Sequence, residues 1–313
     1  MQVGRKWLQA VGSCLVVLLG LCSTSNAATL GSHYLLGAEG VLAGSAPPPG
    51  FHYRMYNAWY NSTSLKDNKG NTINNGFDLD VFASVQRLIY VSNVKILGAD
   101  FICDALVPLV DKDVTVAAMQ GYSDRQSFTV GDVILEPFAL GWHQPRWDAT
   151  FALAVIAPTG NYDATKLASP GLGYWSGMMT LGGTYYLDEK KSWSLSALTR
   201  TLMHTEQEDT KVTPGSEFLV EYGLGKEIKA NEAFIVRPGL VGASYWQISN
   251  DSKDAANFNI VADQRKQVHS IGAEVNFFYL PGLFQVNLRY LTEYGAKNTA
   301  EGSEFVATLT KSF

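Results

Sequence analysis

Long segments in which apolar and polar residues alternate run through the chain, and after residue 27 no apolar run reaches 18 residues. A period of two places side chains on opposite faces of an extended strand. Phe284, Val286, Leu288 and Tyr290 share one face, with Gln285, Asn287 and Arg289 on the other. From His269 to Tyr279, Ile271, Ala273, Val275 and Phe277 alternate with Ser270, Gly272, Glu274 and Asn276. Phe218–Leu224 repeats the pattern, with Glu221 facing away from Val220 and Tyr222. These segments run for about ten to fifteen residues, against about five to six for a soluble strand. A tilted strand that crosses a bilayer needs about nine to eleven.

The connections alternate in length. Short turns are predicted near Val91–Val94, His143–Arg146, Asp188–Lys191, Lys229–Glu232 and Pro281–Gly282. Longer polar loops are predicted near Thr63–Asn74, Met119–Ser127, Thr159–Leu172, Gln207–Pro214, Asn250–Lys266 and Lys297–Gly302. Short turns at one end and long loops at the other are the pattern of bacterial membrane barrels, whose strand number is even. The expectation is an all-β, antiparallel, up-and-down transmembrane barrel of about 12 strands over residues 50–313, with both ends on the short-turn side. Its third strand has to pass through Pro108, Asp111 and Asp113, where a bulge or break is expected. Closure follows from backbone chemistry, because lipid cannot satisfy the N–H and C=O groups of an open sheet edge. Aromatic residues are 12% of the chain, enough for two interfacial girdles, and Trp59, Trp147, Trp193 and Trp246 fall near strand ends.

The N-terminus reads as an export signal over residues 1–27. Arg5 and Lys6 precede the apolar stretch Val11–Cys22, which is too short to span a bilayer, and Ser25-Asn26-Ala27 predicts cleavage after Ala27. Residues 28–49 are then a lead-in, either a plug in the mouth of the barrel or a disordered tail. Ala46-Pro47-Pro48-Pro49-Gly50 makes its exit stiff. Cys14 and Cys22 leave with the signal, so Cys103 has no disulfide partner. The net charge of −5 falls to −7 without Arg5 and Lys6, and with no Lys/Arg run nucleic acid is not an expected partner.

Phe313 ends the chain, with Phe305, Ala307 and Leu309 on its face. This resembles the terminal strand read by the barrel-assembly machinery. Lys311 departs from that pattern, although its ammonium can snorkel to the interface. Further motifs extend the likeness: the PPPGF run at 47–51, Gly131-Asp132 leading to Leu140-Gly141-Trp142-His143, the APTGNYD loop at 157–163, and Gly-Ser-Glu-Phe at both 215–218 and 302–305. In this order they resemble the outer-membrane family named after the meta-pathway of phenol degradation, also called SphA-like transporters. The resemblance covers the mature chain. It implies an outer-membrane channel for passive uptake of small hydrophobic or aromatic compounds, and it supplies no catalytic residues, metal or cofactor. Outer-membrane lipid and the assembly machinery are the other expected partners. A closed structural or adhesive barrel with binding loops is the alternative.

Enzyme signatures such as G-x-S-x-G, H-E-x-x-H or a P-loop are absent from the sequence. His204 with Ser194 or Ser196 is the pair to inspect for a barrel phospholipase. Alternation assigns Asp78, Asp80, Asp100, Asp104, Asp132, Glu136, Asp148, Glu221, Glu274 and Glu293 to the lumen, with Arg54, Arg200, Arg237 and Arg289. Two readings of this set stay open. One is a conducting pore with a mild cation preference, the other a network of ion pairs that fills a narrow lumen.

Overall fold

The computed structural model describes residues 32–253 and 265–313. The predicted signal peptide and the middle of the Asn250–Lys266 loop lie outside the described residues. Sixteen strand segments are present among those described. Twelve of them form the wall: β1 (Gly50–Leu65), β2 (Phe77–Ile96), β3 (Ala99–Val116), β5 (Val133–His143), β6 (Trp147–Ala157), β7 (Ser176–Tyr186), β8 (Trp193–His204), β10 (Glu217–Lys226), β12 (Phe234–Gln247), β14 (Gln267–Tyr279), β15 (Phe284–Lys297) and β16 (Ala300–Ser312). Each pairs antiparallel with its neighbours along the chain, and β16 pairs with β1 over His52–Ser312 to Leu65–Ala300, which closes the ring. The barrel is therefore closed, antiparallel and twelve-stranded, as the alternation predicts. The short segments are β4 (Tyr122–Val130), β9 (Val212–Thr213), β11 (Ile228–Lys229) and β13 (Ser252–Lys253); β9 pairs with β13 in the loops.

The short turns join strands at one end, where Gly50 and Phe313 also meet. In outer-membrane barrels that end faces the periplasm. The turn predicted at Val91–Val94 is displaced. β2 continues to Ile96 through a bulge between Val91 and Lys95, where Ser92 Oγ accepts from Val94 N at 2.9 Å. Ser92-Asn93 carries turn chemistry but uses it to bulge the strand. The chain reverses at Leu97-Gly98, both with positive φ (52° and 80°), as a two-residue hairpin of the primed kind requires. The loop predicted at Lys297–Gly302 shrinks to Asn298-Thr299, because β15 and β16 extend to meet it.

The third strand does not break at Pro108. Its neighbour changes there instead: residues 100–106 pair with β5, and 109–116 pair with β4. Proline has no N–H to donate, so it sits where one partner strand ends and the next begins. Gly131 N donates to Pro108 O at that junction.

Two aromatic belts face outward. Near the short turns lie Phe51 against Tyr90 (4.6 Å between ring centres), Phe234 against Tyr279 (5.0 Å), and the half-exposed Trp147 and Trp193. Toward the loops lie Trp59 against Phe82 (5.0 Å) and Phe305 (5.6 Å), and Phe218 against Trp246 (6.2 Å). Phe51 and Trp59 are separated by about 26 Å of strand. At a tilt of roughly 40° that is about 20 Å of depth, close to the apolar band of outer-membrane barrels. Lys311 shares the outward face, and its ammonium donates to Gly282 O (2.6 Å) at the short-turn rim. It reaches the interface in the way a snorkelling lysine does.

Candidate functional site

Side chains alone fill an eight-stranded barrel, but twelve strands leave more room. Residues 32–49 occupy it. Beyond the three prolines at the short-turn mouth, the segment climbs the inside of the wall. His52 bridges that mouth, one ring nitrogen bonding Pro48 O and the other Ser312 Oγ, both at 2.8 Å. Higher up, Val41 N donates to Glu274 (3.2 Å), Ser196 Oγ to Gly40 O (3.1 Å), and Glu39 N to Glu221 (2.9 Å). At the top, Tyr34 OH donates to Glu221 (2.8 Å) and Ser32 Oγ to Glu217 (2.7 Å). His33 stands between Asp132 (2.9 Å) and Ser176 Oγ (2.8 Å). Tyr34, Leu36 and Ala38 are buried against Ile134, Ile156, Leu202 and Leu219 of the wall. Each large apolar side chain so buried contributes about 1.5–3 kcal/mol to docking.

Glycines let the segment lie flush against the wall. A Cβ at Gly223 would stand 2.7 Å from Val41 N and 2.8 Å from Gly40 C, backbone atoms that cannot swing aside. Gly223→Val is therefore expected to dislodge residues 32–49 while the ring of strands persists. Limited proteolysis should cut within the segment several-fold faster. Gly177→Val, where a Cβ meets nothing within 4 Å, should leave cleavage unchanged.

At mid-height a layer of ion pairs crosses the lumen. Glu39 accepts from Tyr56 OH (2.6 Å) and Arg54 (3.3 Å) and lies 3.6 Å from Arg87. Arg87 also pairs with Asp104 (2.5 Å) and Glu136 (3.5 Å). Arg200 pairs with Glu221 and stacks over the Tyr34 ring at 3.8 Å. Arg289 pairs with Glu274 (2.8 Å) and donates to Gly37 O. Charges taken from water need such partners, since an unpaired one costs several kcal/mol.

The layer lines two spaces in the lumen, one on each side of it. The vestibule on the short-turn side has a volume of about 430 Å³ and a mixed lining, in which Arg237, Asn276, Gln285, Thr308 and Ser312 stand beside Ile89, Ile102 and Leu198. The cavity on the loop side has a volume of about 150 Å³ and is mostly apolar, lined by Val81, Val85, Leu106, Pro108, Ile134 and Met178. Ser169, Pro170 and Leu172 of the 158–175 loop roof it. Loop order is set locally: Thr165 donates to Asp163 from both hydroxyl (2.6 Å) and backbone (2.9 Å), which holds the Asp163 carboxyl below its usual range.

Of the residues assigned to the lumen by alternation, Arg54, Asp100, Asp104, Asp132, Glu136, Asp148, Arg200, Glu221, Arg237, Glu274, Arg289 and Glu293 face inward. Asp100 pairs with Lys95, Asp148 accepts from Tyr186 OH (2.6 Å), Arg237 pairs with Glu227 (2.5 Å), and Glu293 accepts from Tyr60 OH (2.8 Å). Asp78 and Asp80 are a correction: both point outward and are exposed, while Phe77 and Leu79 point in. Above the loop-side girdle the outside of β2 meets water. Its inside packs on Tyr60, Val114, Val116 and Ala168, so the rule of apolar outside and polar inside inverts there. The His204–Ser194/Ser196 pair is a second correction. Those serines lie at the opposite end of β8, and His204 Nδ1 bonds Ser176 Oγ instead (2.6 Å).

The family model described as "Putative MetA-pathway of phenol degradation" matches residues 62–309. The chain belongs to this family. Among solved structures it is similar to an outer membrane channel of Pseudomonas putida F1, with a TM-score of 0.72 and 16% identity over 86% of this chain and 97% of that one. It is more distantly similar to the β domain of the Bordetella autotransporter BrkA (TM-score 0.47, 13% identity, 85% of this chain and 100% of that one). The CymD monoaromatic hydrocarbon channel follows (TM-score 0.37, 10% identity, 85% and 89%). No curated protein matches the chain significantly.

In this member of the MetA-pathway family, alternation missed Arg87, Lys112 and Glu304 on the wall, and Tyr34 and Glu39 on the segment. Arg87 is the informative miss. Setting Asp78 and Asp80 inward fixes the wrong parity for β2 and sends Arg87 outward with it. The run Val81, Ala83, Val85, Arg87, Ile89 carries the correct face, which becomes visible only once the apolar cavity is known.

Proposed function

We propose that the chain is an outer-membrane channel for small hydrophobic or aromatic compounds, which lodge in the loop-side cavity and pass when residues 32–49 shift. The observation that carries this reading is the mostly apolar lining of that cavity, against a vestibule whose lining is mixed. A hydrophilic pore gains nothing from a wall of Val81, Val85, Leu106 and Ile134, whereas an apolar solute is stabilised by about 25 cal/mol per Å² that it buries there. The phenol-degradation description of the family and the channel to which the fold is similar support it. Outer-membrane lipid would cover the band between the aromatic belts, and the Phe313 strand would serve the assembly machinery.

Soaking crystals with 4-bromophenol tests the site. Anomalous bromine signal is expected between Val85, Leu106 and Ile134, and Ala83→Trp, which fills that space, should abolish it. Bromine elsewhere, with an empty cavity, contradicts the reading. The closed structural barrel draws on the ion-pair layer, and it predicts the same empty cavity together with no solute passage.

A further inference from the structure

The loop-side cavity is apolar but not featureless. Lys112 lies on the inner face of β3 between Val110 and Val114, is 5% exposed, and lines the cavity. The other cationic groups at this cavity are already engaged: Arg87 by Asp104, Glu136 and Glu39, Arg200 by Glu221, and His33 by Asp132 and Ser176. Among the described residues no ion pair or hydrogen bond engages the Lys112 ammonium. Lys112 stands opposite Gln126 of β4, and Asp124 on the same strand acts on its charge from a distance without forming an ion pair. One Asp124 oxygen is taken by Ala168 N at 2.8 Å. A buried ammonium with no carboxylate in direct contact is costly, so an anion brought beside it is stabilised by more than the same contact in water.

We propose that the cavity binds apolar molecules carrying a single carboxylate, with the carboxylate on Lys112 and the apolar body along Val81, Val85, Leu106 and Ile134. The proposal rests on the reading of the cavity as a solute site and narrows its ligand class. The four-carbon stem of Lys112 continues the apolar wall formed by Val81, Val110 and Val85, so the charge is presented at the end of an apolar arm. A neutral hydrocarbon leaves the ammonium unpaired. An amine of the same shape adds a second positive charge beside it.

The test uses three probes with one body: 4-phenylbutyrate, 4-phenylbutan-1-ol and 4-phenylbutylamine. Each is titrated against the full chain in lipid nanodiscs, with empty nanodiscs as the reference. The carboxylate is expected to bind about tenfold more tightly than the alcohol, in line with one charge-assisted hydrogen bond, and the amine more weakly than either. Lys112→Met should abolish the carboxylate's advantage over the alcohol, and Lys112→Arg should keep it. Folding of each variant is checked by heat-modifiable gel migration. Equal binding of alcohol and carboxylate by the wild type, or a preference that survives Lys112→Met, overturns the proposal and leaves the cavity as a solute site. Failure of all three probes to bind overturns both.

Discussion

Deleting residues 32–46 is expected to turn a nearly closed barrel into an ion-conducting pore. The segment supplies Glu39, the acid that ties Arg54, Arg87 and Tyr56 into one layer, and the buried side chains Tyr34 and Leu36. Without it, water replaces an entire inner layer of chain, and the remaining Arg and acid side chains become the walls of an aqueous path. Single-channel conductance in planar bilayers should rise by roughly an order of magnitude or more. The three prolines and His52 stay in place, so closure of β1 against β16 is preserved and the variant should still migrate as a folded barrel. Unchanged conductance in a folded variant would mean that the wall side chains, and not the segment, close the lumen.

Glu221→Ala is the point substitution with the largest expected effect. Glu221 is fully buried and receives Tyr34 OH, Glu39 N and Arg200. Its loss removes two bonds to the segment and leaves a guanidinium buried without its carboxylate. Breaking a buried pair from one side costs about 3–5 kcal/mol. Here that figure is a ceiling, because the lumen can admit water once the segment lifts. The strain is relieved by releasing residues 32–49, not by unfolding β10. Amide exchange should therefore accelerate in the segment while the strands stay protected, and conductance should rise toward that of the deletion. Glu221→Gln keeps the acceptor and should fall between the two. In the deletion background Glu221→Ala should add little, since both changes act on the same contact. Additive effects would show that Glu221 acts apart from the segment.

The fold is legible because membrane strands carry their own arithmetic. The alternation in β14 and β15, the turns at Asp188–Lys191 and Pro281–Gly282, and the terminal Phe313 each state a face, a reversal or an end. What misleads is context that local pattern does not hold. Ser92-Asn93 has turn chemistry but makes a bulge, and Pro108 marks a change of neighbour. Asp78 and Asp80 obey the period but sit above the bilayer, where its meaning inverts. The site was partly legible: the inner arginines and most of the acids follow from parity. Their partners do not, because Glu39 and Tyr34 come from a segment with no period, folded back through the lumen by contacts distant in sequence. The apolar cavity escapes notice for a similar reason. Val81 and Val85 read as lipid-facing under the parity given to Asp78 and Asp80, so Leu106 and Ile134, on the lumen face with Asp104 and Glu136, have no apolar partners until the barrel is closed.

The most direct test of a lumen closed to polar solutes but open to apolar ones is paired uptake by intact cells lacking their general porins. N-phenylnaphthylamine, an apolar aromatic dye that the lipopolysaccharide leaflet excludes, is followed by fluorescence while labelled arabinose is followed in the same culture. Expression of the chain is predicted to speed dye uptake severalfold and leave arabinose at the background rate. Accelerated arabinose uptake without dye, as an ordinary hydrophilic pore would give, or no change in either solute, would contradict the account.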